Sequence, residues 1–211
     1  MIAIVDYGMG NLQSVANALE ALGADFAVTQ RATDLRGADG IILPGVGSFG
    51  EGMENLRKLK LVDVLRRAVI EQKKPYFGIC LGLQFLAERG YEEGEHEGFG
   101  WVRGEVRLIE PRDPAAKVPH MGWNEIDIRR ESHIFRGLQK NPVFYFVHSY
   151  SFVPDSTEEE VVTAVVHHGM EIVASIQKRN IFATQFHPEK SQSAGLLVLR
   201  NFIDFCKNPS W

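Results

Sequence analysis

The chain has 211 residues, of which 45% are hydrophobic and 24% are charged, and its formal net charge is −4. A chain of this length can bury roughly 70% of the surface that it exposes when unfolded, so its core needs no disulfide and no structural metal. The small negative charge gives no electrostatic argument for a nucleic-acid or membrane partner. The two cysteines, Cys80 and Cys206, form neither a metal-binding spacing nor a disulfide framework, and we expect no metal and no cofactor.

The amino-terminal segment does not resemble a targeting signal. Residues 1–6 lack the basic and long apolar segments of a secretory signal peptide, and the longest apolar runs are too short to cross a bilayer. We therefore expect a cytoplasmic location. The length, without an internal repeat or a low-complexity tract, favours one domain over residues 1–211.

Strands and helices alternate in the amino-terminal part of the chain. Short apolar runs and apolar residues at helical spacing predict a strand at 2–5, a helix over 11–22, strands at 26–28 and 41–43, a helix around 62–70 and a strand at 76–77. This alternation predicts an α/β fold in which an open, mostly parallel sheet carries helices on both faces.

The pattern changes after residue 105. Successive β runs separated by short turns are predicted at 106–109, 143–147, 161–166 and 172–176, followed by a strand that ends near residue 186. We interpret these runs as a mixed or antiparallel β extension beside the site, within the same domain. A closing helix contains Leu196, Leu199, Phe202 and Ile203 on its core face, and Cys206 is predicted to pack there.

Cys80 lies at the centre of Gly78-Ile79-Cys80-Leu81-Gly82, between an apolar run and a helical pattern. This is the pattern of a nucleophile elbow with sulfur in place of oxygen, in which small neighbours allow a sharp strand-to-helix turn. Amides at the start of the helix would stabilise a thiolate. The alternative is that Cys80 is a small buried hydrophobic residue, as most free cysteines are.

A base follows about a hundred residues later, where a predicted strand ends in His187-Pro188-Glu189. Pro188 favours an extended conformation at His187, so the side chains at i and i+2 project to one side. Glu189 would then bind one imidazole nitrogen and leave the other for Cys80. A surface turn that closes a strand is the alternative interpretation of this tripeptide.

Attack on a carbonyl also needs donors for the oxyanion. The first candidate is the backbone amide of Leu81, directly after the nucleophile. The others are amides of the glycine-rich segment Pro44-Gly45-Val46-Gly47-Ser48-Phe49-Gly50, and we expect those of Val46 and Gly47 to be the donors. This segment would otherwise be a flexible loop or a phosphate cradle, although it lacks the G-K-[ST] of a P-loop.

Residues 78–84, 44–47 and 186–189 together resemble the class I (triad) glutamine amidotransferases. The resemblance covers residues 2–205 and implies that family's α/β fold. It also implies hydrolysis of glutamine to glutamate and ammonia through a Cys-His-Glu triad and a thioester intermediate.

Three segments, residues 6–11, 118–124 and 187–191, are similar to one group within this family, glutaminase subunits of histidine biosynthesis. This similarity implies a heterodimer with a separate (β/α)8 cyclase subunit. The cyclase would use the ammonia to form imidazole glycerol phosphate and an aminoimidazole carboxamide ribonucleotide.

The resemblance also implies further functional residues. Those that would bind glutamine are Gln84, Glu92, Ser149 and Tyr150. Those that would lie at the partner interface or the ammonia gate are Asn11, His120, Trp123 and Lys190. Residues 92–97 form an acidic stretch, so Glu93 is an alternative to Glu92. If neither glutamate binds substrate, the stretch is an exposed acidic loop.

Other interpretations remain open from the sequence alone. His120, His133 and His148 could compete with His187 as the base, although none has a carboxylate two residues after it, as His187 has. The elbow would also suit a stand-alone thiol hydrolase or peptidase, which would need no partner. A catalytically silent binding subunit and an amidotransferase of another pathway are the remaining alternatives.

Overall fold

The fold was analysed in a computed structural model that describes residues 1–209. The amino-terminal part alternates strands and helices. Its elements are β1 (Ile2–Val5), α1 (Leu12–Ala21), β2 (Phe26–Thr29), α2 (Ala32–Gly37), β3 (Gly40–Gly45), α3 (Phe49–Lys58), α4 (Leu61–Arg66), β4 (Tyr76–Cys80) and α5 (Leu81–Gln84). Helix α4 continues as a π-helical turn over Arg67–Glu71. The strands and helices predicted here from hydrophobic spacing are therefore confirmed.

The carboxyl-terminal part is mostly β structure closed by one long helix. Its elements are β5 (Arg89–Gly90), β6 (His96–Glu97), β7 (Gly104–Leu108), β8 (His120–Ile128), β9 (Val143–His148), β10 (Tyr150–Pro154), β11 (Val162–His167), β12 (Glu171–Lys178), β13 (Ile181–Thr184) and α6 (Gln192–Lys207). The closing helix and the four predicted β runs are confirmed, whereas β5, β6, β8 and β10 were not predicted.

The main sheet has nine strands in the order β2-β1-β3-β4-β13-β12-β11-β8-β9. The pairs from β2 through β13 are parallel, and the pairs from β13 through β9 are antiparallel. The parallel part and its antiparallel extension therefore form one continuous sheet. Because β4 and β13 are parallel neighbours, their carboxyl ends meet at one edge, where the elbow and the His-Pro-Glu segment begin.

A second sheet corrects the expectation for residues 106–109. Strand β7 lies in a separate four-stranded sheet, ordered β10-β7-β5-β6, and not in the extension of the main sheet. Val106 is buried while Arg107 beside it is exposed. A strand that buries only one face suits a small sheet at the surface of the molecule.

Hydrophobic clusters cover both faces of the main sheet. Ile42 belongs to the cluster that includes α1 and α6, and its neighbours Ile41 and Leu43 belong to the cluster that includes α3 and α4. Successive strand residues point to opposite faces, so this alternation places helices on both sides as predicted. Cys206 is buried in the first cluster, as expected.

The glycine-rich segment is shorter than the sequence suggested. Helix α3 begins at Phe49, and Ser48 is its N-cap because the Ser48 side chain accepts a hydrogen bond from the Glu51 amide. The segment that is free of regular structure is therefore a short loop after Gly45.

None of the helices within residues 1–209 is long and apolar enough to cross a membrane. The single domain over 1–211 stays a prediction, and the last two residues of that range lie outside the described part of the chain.

Candidate active site

Cys80 occupies a strained turn between β4 and α5. Its φ of 53° and ψ of −101° lie in a region that residues with a side chain rarely adopt. The two flanking glycines make this turn possible. A Cβ atom on Gly78 would lie 2.4 Å from the Gly82 carbonyl oxygen, and one on Gly82 would lie 1.9 Å from the Leu43 carbonyl oxygen. The predicted elbow geometry is therefore present at this cysteine.

The helix after the nucleophile is shorter than the sequence suggested. Helix α5 is a single turn of four residues, Leu81–Gln84. The field of a long helix therefore contributes little at Cys80, because a macrodipole needs aligned peptides over several turns. A thiolate here depends on nearby amides and on the charge of neighbouring side chains.

His187 and Glu189 form a buried pair close to the nucleophile. The His187 Nδ1–H donates a hydrogen bond of 2.7 Å to Glu189 Oε1, and the two side chains are 1% and 2% exposed. Pro188 lies between them in a 3-10 turn, and His187 is extended with a φ of −99° and a ψ of 95°, as expected for a residue that precedes a proline. His187 Nε2 makes no hydrogen bond with any residue in 1–209, so the pair presents one imidazole nitrogen without a partner.

The pKa of His187 reflects the charges around it. Burial lowers the pKa, but the negative charges of Cys80 and Glu189 outweigh burial and raise it to about 10. The imidazole of His187 therefore favours its protonated form while it faces Cys80 and Glu189.

His120 and His148, two of the alternative bases, belong to a separate chain of hydrogen bonds. Asn124 Nδ2 donates to His120 Nε2 at 3.2 Å, so His120 Nδ1 carries the proton and donates to His148 Nε2 at 3.0 Å. His148 Nδ1 then donates to the Tyr150 carbonyl at 2.9 Å. Both rings are satisfied as neutral species. Burial lowers the pKa of His148 to about 3 and that of His120 to about 4.

His133 lies apart from this site, against the ring of Phe205 at 4.9 Å. Among these histidines, the one with a carboxylate partner and the elbow cysteine as a neighbour is His187. The geometry therefore favours His187 over the three alternatives.

A buried glutamine that the sequence did not indicate contacts the nucleophile. Gln185, on the segment that leads to His187, is 0% exposed and its Nε2 donates to Cys80 Sγ at 3.4 Å. Gln84 Nε2 donates to Gln185 Oε1 at 3.2 Å and to the Tyr150 carbonyl at 2.9 Å. Only the pairing of β4 with β13 brings Gln185 to Cys80, so no local motif could have revealed it.

The glycine-rich loop lies beside the nucleophile. Gly45 is the register partner of Cys80 in the parallel pair of β3 and β4. Val46 is 38% exposed, and Gly47 has a φ of +120° that favours glycine. Leu81, the first residue of α5, packs against Gly45, because a Cβ on that glycine would lie 2.7 Å from the Leu81 Cβ. The three predicted oxyanion residues thus share one edge of the sheet.

The structure separates the two candidate glutamates. Glu92 is half-buried, and its Oε2 accepts a hydrogen bond of 2.7 Å from the Phe49 amide at the start of α3. Glu93 is exposed and has a φ of 53°. The Glu92 carboxylate is thus held at the end of the glycine-rich loop, whereas Glu93 faces solvent.

The predicted carboxylate-binding residues lie between β9 and β10. Ser149 connects the two strands, and Tyr150 begins β10. Both are half-buried. The Tyr150 carbonyl accepts hydrogen bonds from Gln84 and His148, which ties this segment to the elbow.

Trp123 lies on an exposed aromatic surface next to the triad. Its side chain is 50% exposed, and its ring meets the Tyr145 ring edge-on at 5.9 Å. Lys190 Nζ lies 5.8 Å from the centre of the Tyr145 ring, and the His187 amide donates to the Tyr145 carbonyl. A continuous set of contacts therefore connects His187 to this surface.

Asn11 is the N-cap of α1 and follows Gly10, which lies against Pro44 and Gly45 of the glycine-rich loop. Its side chain accepts a hydrogen bond from the Ser14 amide at 3.2 Å and caps the helix. N-capping of α1 is sufficient to explain an asparagine at this position, whether or not Asn11 contacts a partner subunit.

The sequence profile described as Glutamine amidotransferase class-I matches residues 3–205. The imidazole glycerol phosphate synthase subunit HisH 1 of Campylobacter jejuni (strain RM1221) is 49% identical over 203 residues, which cover 96% of this chain and 99% of that protein. The imidazole glycerol phosphate synthase subunit HisH of Moorella thermoacetica is 50% identical over 208 residues, covering 98% of this chain and 96% of that protein.

Solved structures agree on the fold. A crystal structure of a glutamine amidotransferase superposes with a TM-score of 0.74 at 19% identity, covering 98% of this chain and 100% of the other. The structure of PurLQS from Thermotoga maritima gives a TM-score of 0.70 at 20% identity, covering 97% of each chain. The chain therefore belongs to the class-I glutamine amidotransferase family and, within it, to the glutaminase subunits of imidazole glycerol phosphate synthase.

Proposed function

We propose that this chain hydrolyses glutamine to glutamate and ammonia and supplies the ammonia to a separate cyclase subunit in histidine biosynthesis. The observation that carries the proposal is the buried pair of His187 and Glu189 beside an elbow cysteine. Its relatives, which match along nearly their whole length, are named as subunits of imidazole glycerol phosphate synthase. A cytoplasmic location stays a prediction.

The first half of the reaction uses the proton held on His187. The Cys80 thiolate attacks the side-chain carbonyl carbon of glutamine, and the carbonyl oxygen becomes an oxyanion. The amides of Leu81 and of Val46 or Gly47 bind this oxyanion. When the tetrahedral intermediate collapses, the C–N bond breaks and the His187 imidazolium gives its proton to the departing ammonia. The product on the enzyme is a γ-glutamyl thioester.

The second half regenerates the enzyme. Neutral His187 takes a proton from a water molecule, whose oxygen attacks the thioester carbonyl. The C–S bond then breaks and releases glutamate and the Cys80 thiolate, while the proton stays on His187. Glu189 holds the imidazole in one orientation and stabilises its charged form. It does not take the proton itself.

The substrate is a free amino acid, which needs an acceptor for its ammonium group and donors for its carboxylate. We assign the ammonium group to Glu92, whose carboxylate lies at the end of the glycine-rich loop. We assign the α-carboxylate to Ser149 and Tyr150, and a supporting contact to Gln84. Each assignment rests on family resemblance and on proximity to the elbow.

The partner is proposed to be a (β/α)8 cyclase subunit in a heterodimer. Met121 and Trp123 point to the same side of β8 and are 66% and 50% exposed. Exposed apolar residues next to a catalytic site are typical of a protein interface. Contacts through Lys190 and Tyr145 place this surface next to His187. Ammonia released at His187 would therefore emerge on the side that the partner covers. His120 is the first residue of β8 and is buried on the opposite face of that strand from Met121 and Trp123. Asn11 would lie at the edge of the partner interface.

The deciding experiment measures glutamate release from glutamine by the purified chain, alone and with a cyclase subunit plus its nucleotide ligand. We expect strong activity in the mixture only, and we expect Trp123→Ala to weaken association with the partner without changing the melting temperature of the free subunit. Equal activity without the partner would point to an autonomous thiol hydrolase and would contradict the proposal.

A further inference from the structure

Tyr7 carries a buried hydroxyl group for which the resting fold offers no partner. The residue is 1% exposed, and its Oη makes no hydrogen bond with any residue in the described part of the chain. Leaving a buried hydroxyl unpaired is unfavourable, because the group gives up its hydrogen bonds to water and gains none in return. Such a group in a folded protein calls for a functional or structural reason.

The hydroxyl lies directly against the glycine-rich loop. A Cβ atom on Gly45 would lie 2.2 Å from Tyr7 Oη and 2.7 Å from the Leu81 Cβ, so the phenol tip occupies the space that Gly45 leaves empty. Gly45 is the register partner of Cys80. Burial, and after it the negative charge of Cys80, raise the pKa of Tyr7. The hydroxyl therefore keeps its proton and acts as a donor.

The segment around Tyr7 supports the whole loop. A Cβ on Gly10 would lie 3.2 Å from the Pro44 carbonyl oxygen, and one on Gly47 would lie 2.3 Å from the Met9 Cε. The turn after β1 thus packs along the loop that follows β3. The conformation of one segment depends on that of the other.

Peptide geometry connects the hydroxyl to the predicted oxyanion donor. In a trans peptide the N–H and the C=O point in opposite directions. The peptide that carries the Val46 N–H carries the Gly45 carbonyl, which belongs to the residue that Tyr7 contacts. Turning the Val46 amide toward the nucleophile therefore turns the Gly45 carbonyl away from it.

We infer that Tyr7 is a positioning residue for the oxyanion donor: its hydroxyl donates a hydrogen bond to the Gly45 carbonyl when the Val46 amide faces the oxyanion. This inference rests on the proposed glutaminase function. Tyr7 touches no reacting atom and acts through the Gly45-Val46 peptide. The unpaired hydroxyl belongs to the free subunit, and its hydrogen bond forms in the catalytic arrangement.

A second buried tyrosine provides a matched control. Tyr76 is 0% exposed, but its hydroxyl donates to the Gly82 carbonyl at 2.7 Å in the free subunit. Removing the Tyr76 hydroxyl breaks an existing hydrogen bond, whereas removing the Tyr7 hydroxyl breaks none. The two Tyr→Phe variants therefore differ in which state of the enzyme they affect.

The experiment compares wild type, Tyr7→Phe and Tyr76→Phe in the complex with the cyclase subunit and its nucleotide ligand, with glutamine as substrate. For Tyr7→Phe we expect kcat to fall about tenfold, as the loss of one transition-state hydrogen bond of about 1.4 kcal/mol would produce. We expect KM for glutamine to stay within about twofold. The melting temperature of the free Tyr7→Phe subunit should not fall, whereas that of Tyr76→Phe should.

Two results would overturn the inference. The first is an unchanged kcat for Tyr7→Phe in a complex whose wild-type form is active. The second is a loss of kcat accompanied by a lowered melting temperature, which would mean that the hydroxyl supports the resting fold. An inactive wild-type complex would instead refute the proposed function, so the two failures can be distinguished.

Discussion

The molecule has two buried histidine sites, one at His187 after β13 and one where His120 and His148 pair across β8 and β9. The pKa values of His187 and His148 shift in opposite directions. His187 and His148 are 1% and 6% exposed, and burial lowers the pKa of both. The pKa of His187 nevertheless rises to about 10, whereas that of His148 falls to about 3. The difference lies in their neighbours, because Cys80 and the Glu189 carboxylate raise the pKa of His187, whereas His148 contacts a neutral histidine and a carbonyl. Neighbouring charges, not burial, select the base.

The contrast also separates the pH dependence of the two sites. Because the pKa of His187 is raised, its stabilising contribution is complete below about 6.5 and is lost as the pH rises toward 10. Because the pKa of His148 is lowered, the folded state resists protonation there, and stability is lost as the pH falls below about 6.5. A loss of stability at acid pH therefore reports on His148, and a loss at alkaline pH reports on His187.

The largest expected effect comes from removing the charge opposite His187. We expect Cys80→Ala to lower partner-activated turnover by about 10⁴-fold or more, since no nucleophile remains. We also expect the pKa of His187 to fall, because burial then acts with only one negative neighbour. Turnover is measured in the complex, and the pKa is measured by NMR titration of the imidazole in the free subunit. A pKa of His187 that stays near its wild-type value would show that Cys80 does not raise it.

A smaller effect is expected from removing the other negative neighbour. We expect Glu189→Ala to lower kcat by about 10²-fold, less than His187→Ala, because Glu189 orients the imidazole but does not transfer the proton. The pKa of His187 should fall here too, since its hydrogen bond to Glu189 is lost. A loss as large as that of His187→Ala would mean that Glu189 takes a direct part in proton transfer. Steady-state kinetics of both variants in the complex decide between these outcomes.

The sequence revealed those parts of the site that depend on adjacent residues. The flanking glycines of Cys80 and the two-residue spacing of His187 and Glu189 are local patterns with a geometric reason, and both geometries are present. Gln185 and Tyr7 could not be found in this way. Their contacts with Cys80 and Gly45 arise only when separate strands pair, and neither residue lies in a motif that predicts such a contact.

The fold was predictable to a similar extent. Buried strands of the parallel part appear in the sequence as continuous apolar runs. Strand β8 was missed because its exposed face carries Met121 and Trp123, which hides the usual alternation of apolar and polar residues. The sheet to which β7 belongs depends on long-range pairing with β10, which hydrophobic periodicity does not encode.

The smallest expected effect concerns the neutral histidine pair. Between pH 7 and pH 5 the unfolded chain protonates His148 while the folded chain does not, since burial lowers the folded pKa to about 3. This single group should cost about 2 kcal/mol of unfolding free energy over that interval. In His148→Gln the loss should shrink by that amount. Urea unfolding at several pH values measures the unfolding free energy of the wild type and of this variant. An unchanged slope in His148→Gln would mean that the folded protein does not keep this ring neutral, and the contrast with His187 would then rest on the catalytic site alone.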